Sequence, residues 1–299
     1  MSFPFNHIYS NGCSFMWGDG LSKRTDIFKF FDETKDIDIT EPVRSNSNPY
    51  FTNYDWVREK YNFVGRLGTY YNLKVTNESI YGGSLKRVIR KTYNWIMNNK
   101  DSVKDTLFIL EWPIGARGEV YLNHHKRYVN YTASFDNFDG MHKPIFNMMV
   151  NDFAPNMFSE GITFLEDLHG LIGLLSFLDT LNAKYYLILD EYPLPIYKDE
   201  TKQYIKDKSN VEYILNTKLL PHSIKFYSDA RPNAPWIMDG VNEIVGETYS
   251  LVNYYFHYED ATLKHDTDGL EGDGHPSFRG AKIIAEQIIN RINNDYELL

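Results

Sequence analysis

Cysteine is nearly missing from this chain: in 299 residues Cys13 stands alone. A single thiol excludes an intramolecular disulfide framework. Long apolar runs are missing as well. No stretch approaches the roughly eighteen apolar residues that a bilayer-spanning helix needs, so no transmembrane segment is expected. The opening residues, MSFPFNHIYSNG, lack the basic-then-apolar order of a secretory signal. A cytoplasmic location is therefore the expectation, with packaging into a virus particle or non-standard export left open. Positive charge is also scarce, with 31 Lys and Arg against 40 Asp and Glu and a net charge of −9. Binding nucleic acid through its phosphates requires clustered cations. The small basic groups here, Lys86-Arg87, Arg90-Lys91 and His124-His125-Lys126-Arg127, read as solvated faces. Neither nucleic acid nor a membrane is expected as a partner.

What is abundant is aromatic surface, with 23 Tyr and 19 Phe. Tyrosine joins an apolar ring to a polar tip, which suits a large core, an oligomer interface or a groove for sugar rings.

Strand and helix signals alternate along the chain. Residues 6–13 read as a short buried strand ending at a glycine turn. Residues 55–72 carry Trp56, Val57, Tyr61, Val64, Leu67 and Tyr71 at helical spacing, with Asp55 as a candidate cap. A strand near 73–76 leads through Asn77-Glu78-Ser79-Ile80-Tyr81-Gly82-Gly83-Ser84 into a helix over 85–98. The run TLFILEW, 106–112, reads as a strand buried on both faces, stopped by Pro113. A long apolar helix over 161–181, a strand over 184–189 and a last helix over 278–292 complete the series. This alternation predicts one α/β domain over 1–299, a three-layer α/β/α sandwich with a mostly parallel sheet of about five strands. Two stretches, 20–54 and 113–160, break the rhythm and read as long insertions that wall a site.

Two short motifs at opposite ends carry the chemistry. In Asn11-Gly12-Cys13-Ser14-Phe15-Met16-Trp17-Gly18-Asp19 a serine follows the first strand and a glycine turn. Open α/β sheets bind ligands at that edge. In Gly272-Asp273-Gly274-His275-Pro276-Ser277 a histidine directly precedes the last helix, and it could take the serine proton. This pairing resembles the SGNH (GDSL-like) hydrolases, whose nucleophile follows the first strand and whose base precedes the last helix. The spelling Gly-Cys-Ser-Phe, in place of Gly-Asp-Ser, looks like the form found in phage and bacterial branches.

The resemblance implies a serine esterase acting on a small-molecule or glycan ester, without a cofactor. Ser14 would be the nucleophile, His275 the base and Asp273 its orienting acid. The oxyanion hole would use the Ser14 N–H and Gly82, with Gly83 as second choice for the glycine. A glycine N–H at a helix entry can approach developing negative charge closely. Two departures stand against this pattern. The family's third-strand Asn is missing, since that place reads Glu111-Trp112-Pro113-Ile114-Gly115-Ala116-Arg117, and Arg117 is the candidate substitute. The acid lies two residues before His275 instead of three, with Glu271 and Asp268 as alternatives to Asp273.

Three other readings compete. Cys13 adjoins Ser14 and could itself be the nucleophile, although a free cysteine is more often a buried packing residue. The stretch holding His257, Asp260, His265, Asp266, Asp268, Glu271, Asp273 and His275 has metal-ligand chemistry but not the spacing of a calcium loop. Finally, the same fold could serve as a non-catalytic binding or structural component, for example in a virion or a glycan-modifying system.

Overall fold

The computed structural model describes residues 3–18, 55–80, 82–113, 117–123, 126–132, 160–190, 223–228, 236–238 and 278–297. In chain order these form β1 (His7–Asn11), α1 (Ser14–Trp17), α2 (Asp55–Tyr61), α3 (Phe63–Tyr71), β2 (Lys74–Asn77) and α4 (Leu85–Asn98). After a 3-10 turn at Lys100–Asp105 come β3 (Thr106–Trp112), β4 (Arg117–Leu122), β5 (Arg127–Thr132), α5 (Glu160–Thr180) and β6 (Lys184–Asp190). The series ends with β7 (Ser223–Ser228), β8 (Trp236–Met238) and α6 (Phe278–Asp295).

The chain is α/β, as its alternation predicts, with a four-stranded parallel portion in its sheet. The strand order is β2-β1-β3-β6-β7-β8. β1 runs parallel to β2 with Ile8 opposite Val75, and β3 runs parallel to β6 with Ile109 opposite Tyr186. β8 returns antiparallel to β7. All seven residues of β3 are buried, the mark of a parallel strand covered on both faces.

Two compact units divide the chain. One comprises Met1–Ser10, Ser14–Tyr81 and Phe226–Leu299; the other comprises Asn11–Cys13 and Gly82–Lys225. In the first, α6 packs on α3. It buries Ala281, Ile284, Ala285, Ile288, Ile289 and Ile292, an i, i+3, i+4 stripe. α3 in turn lies so close to β2 that a β-carbon at Gly68 would collide with Val75. In the second, α4 packs on α5, with Ile89 against Gly170.

One device turns two helices into parallel strands. α3 ends at Asn72, which adopts the left-handed conformation with φ 54°. The Leu73 N–H then returns to the Gly68 carbonyl at 2.9 Å. α5 ends in the same way, with Asn182 at φ 52° and the Ala183 N–H on the Leu178 carbonyl at 3.0 Å. Asparagine tolerates positive φ better than other residues that carry a side chain.

The structure departs from the sequence reading in two places. Residues 55–72 form two helices broken at Asn62, not one. Asn62 is extended and caps α3 by accepting from the Gly65 N–H. Within 113–160, read as irregular, β4 and β5 form an antiparallel hairpin with Val120 opposite Val129. Arg90 of α4 ties this hairpin down, pairing with Glu119 through both nitrogens at 2.6 and 2.7 Å. Its guanidinium also lies 3.9 Å from the centre of the Tyr128 ring. The predicted insertion 20–54 lies outside the described residues. Among the described residues no helix is long and apolar enough to cross a membrane.

Candidate active site

The signature segment Asn11–Trp17 is where β1 ends and α1 begins, and each half is held by its own unit. In the second unit Asn11 is fully buried. Its amide donates to the Val88 carbonyl at 3.0 Å and to Thr92 Oγ1 at 3.2 Å. Its oxygen accepts from Arg87 at 3.2 Å. A buried amide with its donors and acceptor engaged fixes the strand end on the first turns of α4.

The next two residues meet Glu111. Its carboxylate accepts the Cys13 backbone N–H at 2.8 Å and lies 3.0 Å from the Cys13 thiol, which donates to the second oxygen. Gly12 lies flush against the same side chain, and a β-carbon there would collide with both the β-carbon and the carboxylate of Glu111. Cys13 is therefore a buried, hydrogen-bonded residue. Glu111 was passed over in the sequence as part of an apolar strand. Its signal was there: a carboxylate inside a strand buried on both faces requires buried donors.

In the first unit Ser14 is the first residue of α1 and is 1% exposed. It lies at the carboxyl end of β1, where the sequence placed it, but enclosed instead of open at the rim. The carbonyls at the far end of α1 are gathered by side chains. Asn77 donates to the Met16 carbonyl at 3.1 Å, and Asn62 donates to the Trp17 carbonyl at 3.3 Å. Asn77 also accepts from the Ser79 N–H, while the Glu78 N–H reaches the Ser10 carbonyl at 2.8 Å. Trp17 is 3% exposed, with Arg58 stacked 4.1 Å from its ring centre. It offers no open face for a sugar. Trp56 and Tyr121 are about half exposed.

Gly82, the candidate oxyanion donor, adopts φ 65°, and no described atom lies within 4 Å of where its β-carbon would stand. This is a left-handed position with no described residue crowding it, so glycine serves the backbone conformation there. Ser84 follows as the cap of α4, accepting from the Arg87 N–H. Arg117, the candidate replacement for the family's Asn, begins β4 opposite Thr132; its side chain lies outside the described residues. So do His275 and Asp273, their alternatives Glu271 and Asp268, and the rest of the acidic, histidine-bearing stretch.

No protein-family model matches this chain, and no curated protein matches it. Solved structures similar to it include a psychrotrophic esterase from Pseudoalteromonas sp., at 12% identity and a TM-score of 0.43, with 98% of this chain and 99% of that one covered. A catalytic mutant of an acetylxylan esterase from Geobacillus stearothermophilus aligns at 11% identity and a TM-score of 0.41, covering 98% and 96%. A member of the lipolytic G-D-S-L family from Veillonella parvula aligns at 11% identity and a TM-score of 0.37, covering 95% and 96%.

Proposed function

We propose that this chain is a serine ester hydrolase of the SGNH type, with a carbohydrate O-acyl group, acetyl foremost, as substrate. The observation that carries this reading is the position of Ser14. It stands directly after the carboxyl end of a parallel strand, on a turn pinned by buried hydrogen bonds. Ligands bind at that edge of open α/β sheets.

In this reading Ser14 Oγ attacks the acyl carbon while His275 takes the hydroxyl proton, and Asp273 orients the imidazole. The developing oxyanion is met by the N–H groups of Ser14 and Gly82, with Arg117 in place of an asparagine donor. The ester C–O bond breaks, His275 returns its proton to the leaving alcohol, and an acyl group remains on Ser14. Water deprotonated by His275 then attacks that acyl group, releasing the acid and restoring the serine. Gly82 suits its part because its left-handed backbone demands a residue without a side chain and nothing described crowds it. The whole chain is read as one domain.

A second reading, a non-catalytic binding or structural component of the same fold, draws on Glu111. It places a buried carboxylate on the third strand, where the family resemblance implies an asparagine donor. Hydrolysis of acetyl and butyryl esters and of acetylated sugars, compared with Ser14→Ala, separates the two. Turnover that vanishes with Ser14→Ala supports the hydrolase; wild-type rates at background across all three overturn it.

A further inference from the structure

We infer that Glu111 is the positioning residue of the nucleophile turn, holding Gly12 and Cys13 so that Ser14 is presented in a single geometry. This inference rests on the ester-hydrolase reading for its kinetic part and on the structure alone for its mechanical part.

Glu111 lies in β3 opposite Ile188 of β6. Its flanking residues in the strand, Leu110 and Trp112, are apolar and buried. Placing a carboxylate there sacrifices its hydration unless donors replace the lost water. Cys13 supplies two such donors, its backbone N–H at 2.8 Å and its thiol at 3.0 Å. A hydrogen bond made inside a buried site is stronger than the same bond in water. These two act on the residue covalently joined to Ser14.

Gly12 makes this contact close. Its α-carbon rests on the Glu111 side chain with no room for a β-carbon, so one side chain holds the turn both by contact with Gly12 and by hydrogen bonds from Cys13. Asn11 is fixed in turn by Arg87, Val88 and Thr92. Each of the three residues before Ser14 thus has a buried tether. A nucleophile displaced by about 1 Å can lose on the order of a hundredfold in rate, so such tethers bear on turnover more than on substrate affinity. Glu111 is a positioning residue in this account, working through Cys13.

Cys13 is the only cysteine in the chain, so its reaction with a disulfide reagent such as dithiobis-nitrobenzoate reports on this turn alone. The full-length wild type, Glu111→Gln and Glu111→Ala would be compared under native conditions for thiol labelling rate and for kcat and KM on a small ester. Glu111→Ala is expected to speed labelling about tenfold or more and to lower kcat about a hundredfold with KM little changed. Glu111→Gln keeps an oxygen for the Cys13 N–H and should recover part of both losses. A folded Glu111→Ala that labels at the wild-type rate overturns the inference, as does one that labels faster with kcat intact. Should Glu111→Ala not fold, Glu111→Gln carries the comparison, and rapid hydrogen exchange of the wild-type Cys13 amide also overturns it. An inactive wild type defeats the hydrolase reading, and the labelling and exchange results still decide whether Glu111 holds the turn.

Discussion

Glu166 and Asp167 are neighbours on α5 with opposite surroundings. Glu166 is exposed and pairs with Lys86 at 3.0 Å, whereas Asp167 is 6% exposed and its Oδ1 has no hydrogen-bond partner among the described residues. Burial pushes the Asp167 carboxyl up to about 7. The nearby Lys86 pulls it down, and Glu166 raises it further. The folded state therefore holds this proton more tightly than the unfolded chain, whose value is 3.8. The stabilising effect of the protonated group is complete below pH 3.8, is lost as pH rises towards about 7, and does not change further above that. The loss is on the order of a few kcal/mol. Urea unfolding at pH 5 and pH 8 should show the wild type weaker at pH 8, and Asp167→Asn should flatten that difference. An equal pH response in both proteins would mean that Asp167 ionises without cost.

Gly12→Ala should be among the more damaging single-methyl additions in the chain. The new carbon meets the Glu111 side chain at its base as well as at its tip. Overpacking of this kind typically costs about 1–3 kcal/mol. Adding Glu111→Ala should restore only part of that stability, because the β-carbon at position 111 remains in the way. Urea midpoints of the two single variants and the double variant form the cycle that measures it.

Asn72 and Asn182 predict a matched pair of results. Replacing either with alanine puts an ordinary side chain at positive φ, costing about 1 kcal/mol. Replacing either with glycine should leave stability within about 0.5–1 kcal/mol of wild type, because backbone ease offsets the greater freedom of the unfolded chain. Thermal melts of the four variants test this. Equal losses for alanine and glycine would show that the side-chain amide, not the conformation, matters there.

The kinetic expectations follow from the roles proposed above for an ester hydrolase, which are not equal. Ser14→Ala and His275→Ala should each remove nearly all turnover, and combining them should cost little more, since nucleophile and base work as one unit. Asp273→Asn should cost less, and Cys13→Ala should keep most activity. For Arg117→Ala, a fall in kcat of about a hundredfold with KM unchanged would place Arg117 at the transition state. Unchanged kcat would remove it from the oxyanion hole.

The regular elements were legible because their signals are local. The helix read at 85–98 matches α4, the strand read at 106–112 matches β3, and that at 184–189 falls one residue short of β6. Asn62 escaped notice because nothing in the spacing of Tyr61 and Val64 reveals that its side chain must both cap α3 and reach the Trp17 carbonyl. The hairpin was missed because its alternation is exposed. Tyr121 and Tyr128 face each other across it, each about half exposed, and so give no clean apolar face to read. At the candidate site, Ser14 and Gly82 stand out in the sequence through short motifs that depend on backbone shape, and the structure places Ser14 just after β1 and Gly82 at positive φ. Glu111 was not, because its partner Cys13 lies 98 residues away and no local spacing encodes so distant a contact.

The packing of Gly12 on Glu111 also sets a direction for sequence drift. Packing lets position 111 exchange its carboxylate for a shorter or neutral group, at a loss in turnover, while position 12 remains glycine. The reverse path is closed, because any side chain at 111 keeps the β-carbon that excludes one at 12. Among relatives that diverge from this chain, glycine at 12 should therefore outlast glutamate at 111. The order of substitution along such a lineage is written into the spacing between Gly12 and Glu111.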